Sequence, residues 1–125
     1  MTIEHYPSDL GSFSEAVATS GAGRWINVSG MVGFGNDGKV VSGGIAAETE
    51  ATLDAIERIL AKAGASLGDI VRMGVFMTDL GDYAEFSRVR AERFGEHPPA
   101  SAAVQVAGLL LGARIEIDAV AFVPE

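Results

Sequence analysis

The sequence predicts an α+β domain in which two helices alternate with the strands of a mixed sheet. Residues 48–63 carry apolar side chains at helical spacing, and a valine or methionine recurs at every second position from 71 to 77. Two strand-like segments then follow the double proline at 98–99. The length of 125 residues is ordinary for a single domain, and no linker or repeat interrupts it, so residues 1–125 are taken as one domain.

The first elements are short strands. Residues 13–19 and 24–30 are β-prone, and the Ser-Gly-Ala-Gly run at 20–23 between them predicts a hairpin. The Asn-Asp-Gly run at 36–38 is a turn signal, and a brief strand is expected over 39–42.

The clearest helix is predicted over residues 48–63. Leu53, Ile56 and Leu60 recur at the spacing of one helix face. Gly64 stands where a helix ends in the left-handed conformation that glycine adopts readily. The pattern therefore predicts an amphipathic helix with its apolar stripe on the sheet.

The second half continues the alternation. After the strand at 70–78, Asp79 or Asp82 is expected to cap a second helix that runs to about Phe94. Its apolar side is Tyr83, Phe86, Val89 or Arg90, and Phe94. Strands over 101–109 and 114–123 close the chain. Two helices cannot cover both faces of such a sheet, so the second face is expected to need another subunit.

Composition excludes several classes of function. Nine basic and seventeen acidic residues give a net charge of −8, which argues against nucleic acid as a partner. The absence of cysteine excludes disulfides, thiolate metal sites and a thiol nucleophile. The first ten residues do not form a secretory signal, and no stretch is long and apolar enough for a membrane span. The cytoplasm is the expected location, with no membrane partner.

One carboxylate stands out in the last strand. Glu116 shares a face with Arg114 and Asp118, while isoleucines and alanines occupy the other face. The spacing alone favours a solvated strand face, and the alternative is a general base or water-orienting carboxylate in a cleft. His5 and His97 are far apart and lack metal-ligand spacing, so neither a metal nor a cofactor is predicted.

Five segments match a known family in their order along the chain and in their amino-acid sequence. They are GSFSEAV at 11–17, VSG at 28–30, LGDIV with VFMTDL over 67–80, PPASAAVQV at 98–106 and IEIDAVA at 115–121. Together they resemble the Rid family of reactive intermediate/imine deaminases, also labelled endoribonuclease L-PSP. The match runs in register from about Gly11 to Ala121.

This resemblance implies a chorismate-mutase-like fold with two helices packed on one face of a mixed sheet. It further implies a barrel-like homotrimer with small-molecule clefts between subunits. In the family's deaminases these clefts hydrolyse short-lived imines or enamines to ketoacids and ammonia. The resemblance gives Glu116 the family's water-positioning role, and it places four further pocket positions at Phe13, Gly30, Ser87 and Ala103.

The sequence departs from the family's pattern at Ser101, where the deaminases carry the arginine that pairs with the substrate carboxylate. An arginine fork makes two parallel charged hydrogen bonds that a serine cannot reproduce. Its loss is expected to weaken binding of a 2-iminoacid by roughly 10- to 100-fold. Arg24, Arg72 and Arg114 are candidate replacements, although the pattern favours a surface charge for each.

Three functions therefore remain open at this stage. The first is a hydrolase that acts on an imine or enamine other than the standard 2-iminoacid. The second is a non-catalytic trimer that binds or senses a small metabolite, which the replacements at Ser101 and Phe13 favour. The third, a ribonuclease, fits least well with the net charge of −8.

Overall fold

The computed structural model describes residues 3–125. The elements occur in the order β1 (Ile3–Pro7), β2 (Ser14–Thr19), β3 (Gly23–Met31), α1 (Gly44–Lys62), β4 (Ile70–Met77), α2 (Tyr83–Phe94), β5 (Ala100–Gln105) and β6 (Ile115–Pro124). The described strands form one six-stranded sheet in the order β1-β2-β5-β4-β6-β3. Strand β4 is parallel to β5 and antiparallel to β6, so the predicted mixed sheet is confirmed.

The predicted hairpin between residues 13–19 and 24–30 is wrong. Strand β2 pairs with β1, a strand that the sequence pattern did not indicate, and touches β5 at Ser14 and Ala100. Strand β3 instead pairs with β6 at the opposite edge of the sheet. The turn signal at 20–23 is real, since Gly21 has a φ of 83°. A turn signal reports only the local bend, whereas the pairing of each strand depends on which distant edge is available.

The core lies between the helices and one face of the sheet. Leu53, Ile56 and Leu60 of α1 are fully buried, as the helical stripe predicts. Helix α1 begins at Gly44, four residues before the expected start, because Gly43 and Gly44 both adopt positive φ and turn the chain there. Gly64 has the predicted left-handed conformation, with a φ of 76°.

Helix α2 packs beside α1 on the same face. Arg93 of α2 joins them through ion pairs with Glu50 at 2.8 Å and Asp54 at 3.0 Å on α1. The strand expected over 39–42 is reduced to a single bridge between Phe34 and Val40.

The opposite face of the sheet carries no helix from the described residues. Strand β4 shows the consequence: Met73, Val75 and Met77 are buried under the helices, while Phe76 on the other face is only half-buried. Val104 of β5, on this open face, is 47% exposed. Neither α1 nor α2 has the length and apolar character that a membrane-spanning helix needs.

Replacement of Leu53 by alanine should strongly destabilise the fold. Its side chain is completely buried between α1 and the sheet, so truncation leaves a cavity and should lower the free energy of unfolding by about 2–5 kcal/mol. Leu10→Ala is a suitable control, because that side chain is 87% exposed and should change stability by less than about 0.5 kcal/mol. Urea unfolding at matched protein concentration tests both; equal effects would contradict the assigned core.

A histidine pair links the edge strand β1 to the turn before β5. The rings of His5 and His97 lie 5.3 Å apart, and the Nε2 of His5 is buried without a hydrogen-bond partner among residues 3–125. Burial, followed by repulsion from His97, lowers the pKa of His5 below its ordinary value of 6.5. The unfolded chain therefore binds a proton at this residue more readily than the folded chain does.

Stability from His5 is accordingly present above its ordinary pKa and is lost as the pH falls from 6.5 toward the lower folded pKa. The variant His5→Gln should lose less stability than the parent when urea unfolding is compared at about pH 7.5 and 5.5. An identical loss in both proteins would show that protonation of His5 does not oppose folding.

Candidate functional site

Glu116 and Gly30 lie side by side at the junction of β6 and β3. The β3–β6 register shifts between Val28 and Met31, and Gly30 sits within that irregularity. A Cβ atom at position 30 would overlap the Oε2 atom of Glu116. A side chain at position 30 would therefore displace the carboxylate from this position, and the structure brings these two predicted site residues together.

The carboxylate of Glu116 has no hydrogen bond or ion pair with any residue in the described range 3–125. Arg114, the nearest cation in sequence, instead lies 3.9 Å from Glu48 and 3.9 Å from Asp82, with its side chain 56% exposed. The backbone N–H of Arg114 donates to Oε1 of Glu48 at 2.8 Å. This bond anchors the start of β6, and the side chain of Arg114 faces other carboxylates rather than the half-buried Glu116.

A cavity of about 320 Å³ adjoins this carboxylate. Its other lining residues are almost entirely apolar: Gly30, Met31, Val32, Phe34, Leu110 and Leu111. Leu111 is the one non-glycine residue with positive φ, 60°, in the described part of the chain. Such backbone strain is common at binding sites. A larger depression of about 640 Å³ lies along residues 35–42 and contains none of the predicted site residues.

A second cluster forms around Arg90 of α2, which the sequence did not single out as a site residue. Its Nε donates to the hydroxyl of Ser12 at 3.1 Å, its Nη1 to Ser101 at 3.0 Å and its Nη2 to Tyr83 at 2.8 Å. Ser12 also contacts Ser87, at 2.8 Å between hydroxyl oxygens. Of the predicted residues, Ser101 therefore contacts an unpredicted cation directly, and Ser87 is connected to it through Ser12.

Three aromatic rings surround the same guanidinium. The Cζ of Arg90 lies 4.8 Å from the ring centre of Phe86, 5.5 Å from that of Phe13 and 5.6 Å from that of Tyr83. The attraction between a cation and the faces of aromatic rings offsets part of the cost of burying the charge. Phe13, the position where the family pattern has tyrosine, thus belongs to the Arg90 cluster.

The other predicted residues are placed elsewhere. Ala103 packs against the hydrophobic core. Among the candidate replacement cations, Arg24 donates to the carbonyl of Ala63 at the end of α1, and Arg72 is exposed. Neither of these arginines contacts Ser101. The helical pattern did contain a signal for Arg90, because it fell on the apolar side of α2, where an arginine needs a partner.

The two clusters lie on opposite faces of the sheet. Ser101 is in register with Met73, whose side chain points toward the helices. Glu116 is in register with Phe76 on the open face. Side chains in register share a face and alternate along each strand. A single chain therefore cannot bring Ser101 and Glu116 into one cleft.

Neither cluster resembles a metal centre, and residues 3–125 contain no group of three or more histidines and carboxylates placed to hold a metal ion. The chemistry available is that of one unpaired carboxylate in an apolar cavity and one buried cation behind several hydroxyls. The fold is that of an α+β protein, and it places the two groups of candidate site residues on opposite faces of one sheet.

Comparison with known proteins identifies the family. The sequence model described as Endoribonuclease L-PSP matches residues 3–123. A RutC family protein of Pyrococcus abyssi is 37% identical over 120 residues, covering 95% of this chain and 92% of that protein. The human 2-iminobutanoate/2-iminopropanoate deaminase is 37% identical over 116 residues, covering 92% of this chain and 82% of that protein.

A solved structure agrees with the sequence relatives. RidA from an Antarctic Psychrobacter superposes with a TM-score of 0.77 at 33% identity, covering 98% of this chain and 99% of that one. The chain belongs to the Rid family, whose sequence model carries the Endoribonuclease L-PSP description. The predicted family and its α+β fold, with two helices on one face of a mixed sheet, are confirmed.

Proposed function

We propose that this protein is a Rid-type hydrolase of imines or enamines, acting in clefts between the subunits of a cytoplasmic homotrimer. The observation that carries the proposal is the unpaired, half-buried carboxylate of Glu116 beside Gly30 and an apolar cavity. The human relative named for 2-imino acids supports the same class of reaction.

The proposed reaction uses Glu116 as a general base. Its carboxylate accepts a proton from a water molecule as the water oxygen bonds to the carbon of the C=N group. The carboxyl group then gives this proton to the nitrogen, which completes a carbinolamine. Glu116 next takes the proton of the carbinolamine hydroxyl and passes it to the amine nitrogen, so that the C–N bond breaks, the C=O bond forms and ammonia leaves. One water and one imine are consumed, and one carbonyl compound and one ammonia are released. An apolar cavity suits this step because it limits the number of competing water molecules.

The oligomer follows from the placement of the half-sites. Because the Glu116 and Ser101 clusters occupy opposite faces of one sheet, a complete cleft requires the open face of one copy against the helix-side edge of another. The open face is suited to such packing, since Val104 and Trp25 are 47% and 56% exposed. A closed ring of three copies would give three equivalent clefts.

Ser101 indicates that the substrate differs from a short 2-iminoacid. A serine is several atoms shorter than the arginine that the family pattern has there, so this wall of the cleft is set back. The exposed leucines at 110 and 111 extend the opposite, apolar wall. We therefore expect imines with longer apolar side chains to be better substrates than 2-iminopropionate.

A non-catalytic trimer that binds a small metabolite is the second candidate. The replacements at Ser101 and Phe13 favour it, because a sensor needs a pocket but no fixed reacting geometry. A ribonuclease is less well supported, because a net charge of −8 opposes binding of a phosphate backbone.

Substitution of Glu116 separates the hydrolase from the sensor. The parent should accelerate ammonia release from freshly generated imines of 2-oxo acids, and Glu116→Ala should lower kcat about 10²- to 10⁴-fold because no base remains to take the proton from water. Asp118→Asn is the matched control: it lies on the same face of β6, and its amide oxygen can still accept the N–H of Gly74, now 2.9 Å from the aspartate. A parent that binds ligands but hydrolyses none of the imines would favour the sensor.

Mixing two inactive variants tests the shared cleft. Glu116→Ala removes one half-site, and Ser101→Asp should block the other by placing a carboxylate against Arg90. If each cleft takes its halves from different chains, randomly mixed trimers should regain about a quarter of the parental activity. Refolding the two variants together and measuring ammonia release tests this expectation. No recovery, with trimers verified by light scattering, would show that both halves come from one chain.

A further inference from the structure

The guanidinium of Arg90 is a buried charge without a charged partner. The residue is 1% exposed, and it forms no ion pair with any of the described residues 3–125. Other arginines of α2 do form ion pairs: Arg93 with Glu50 and Asp54, and Arg88 with Glu92 at 2.9 Å. Buried arginines are ordinarily paired. The positive charge at Arg90 is therefore left for something other than the described chain to neutralise.

Two of the hydroxyls bound to Arg90 have an unused proton. Ser101 and Tyr83 each accept an N–H from the guanidinium, at 3.0 Å and 2.8 Å. In the described part of the chain neither hydroxyl has an acceptor for its own O–H. Ser12 differs, because its hydroxyl can donate to the carbonyl of Ser87 at 2.9 Å. The free donors are thus those of Ser101 and Tyr83.

These two donors are placed for one ligand group. They bind the two terminal nitrogens of a single planar guanidinium, so both hydroxyls lie along its outer edge. Both side chains are half-exposed, whereas the cation behind them is not. A hydroxyl whose oxygen already accepts from a cation is a stronger donor through its own proton, because hydrogen bonds in a chain polarise one another. Such a pair of donors matches the two oxygens of a carboxylate.

We propose that Arg90, Ser101 and Tyr83 form an anion receptor in the cleft, in which the two hydroxyls contact a carboxylate and Arg90 positions them and supplies the charge. Resting on the proposed function, this assignment makes the substrate an anionic imine, held through hydroxyls rather than by a direct arginine fork. The cation is supplied by helix α2 instead of strand β5.

Direct binding tests the receptor without requiring turnover. The probes are pyruvate and 2-oxohexanoate, each compared with its uncharged amide by isothermal titration calorimetry. The parent should bind each acid at least about tenfold more tightly than its amide, because hydrogen bonds to a charged group are stronger than those to a neutral one. Tyr83→Phe and Ser101→Ala should each weaken acid binding by about tenfold and amide binding by less, because the amide oxygen accepts only a weaker, neutral hydrogen bond.

Arg90→Met removes the charge and should abolish the preference for the acid. Loss of a buried arginine can also unfold the protein, so a second variant is needed. The double variant Arg90→Ser with Ser101→Arg exchanges the two residues and keeps one guanidinium in the cluster. This variant should recover the preference for the acid. Tyr6→Phe is the matched control, since Tyr6 is 46% exposed and bonds to Glu4, and it should bind both probes as the parent does.

Kinetics distinguish failure of the receptor from failure of the hydrolase. If imines are hydrolysed, Tyr83→Phe and Ser101→Ala should raise KM for the anionic imine about tenfold, raise KM for the imine amide by less, and change KM far more than kcat. Acid binding that depends on Arg90 without any hydrolysis would overturn the hydrolase and keep the receptor. The receptor proposal would be wrong if these variants left hydrolysis of the anionic imine unchanged. It would also be wrong if the parent bound acid and amide with equal affinity. A merely structural Arg90 would lower stability and affect acid and amide alike.

Discussion

The alternation of side chains across the sheet is the constraint on which the rest of this structure depends. It buries Met73, Val75 and Met77 beneath the helices and leaves the open face without cover from the described chain. The same alternation sends Glu116 to the open face and Ser101 to the helix side. The same alternation therefore leaves one sheet face incompletely buried and separates Glu116 from Ser101. A neighbouring copy of the chain could cover that face and bring the two groups of residues together.

The two groups of candidate site residues each contain an unpaired charge. One half contains a carboxylate without a partner in residues 3–125, and the other contains a buried guanidinium that is likewise unpaired. Unpaired charges are costly in a folded chain, and they concentrate at functional sites because a ligand or a reaction step makes use of them. Aromatic rings around Arg90 and the small residue Gly30 beside Glu116 are the local features that make these charges tolerable and accessible.

Sequence patterns predicted most of the secondary structure but not all of its pairing. The stripe containing Leu53, Ile56 and Leu60 defined α1 apart from its start, where Gly43 and Gly44 set the boundary by positive φ. The second helix and the strand after Leu67–Asp69 occur where predicted. The hairpin over 13–30 was wrong because strand pairing is a long-range choice, and β3 finds its partner almost a hundred residues later.

By itself the sequence determined the family, the fold class and the residue types at the site, because these depend on periodicity, on turn residues and on motif order along the chain. It also showed that the expected arginine was absent at Ser101. Only the tertiary structure decided that Arg90 contacts that serine from another element, and that Glu116 lies on the opposite face. Neither fact is local: each is set by how α2 and the strands pack, which no spacing in the linear chain specifies.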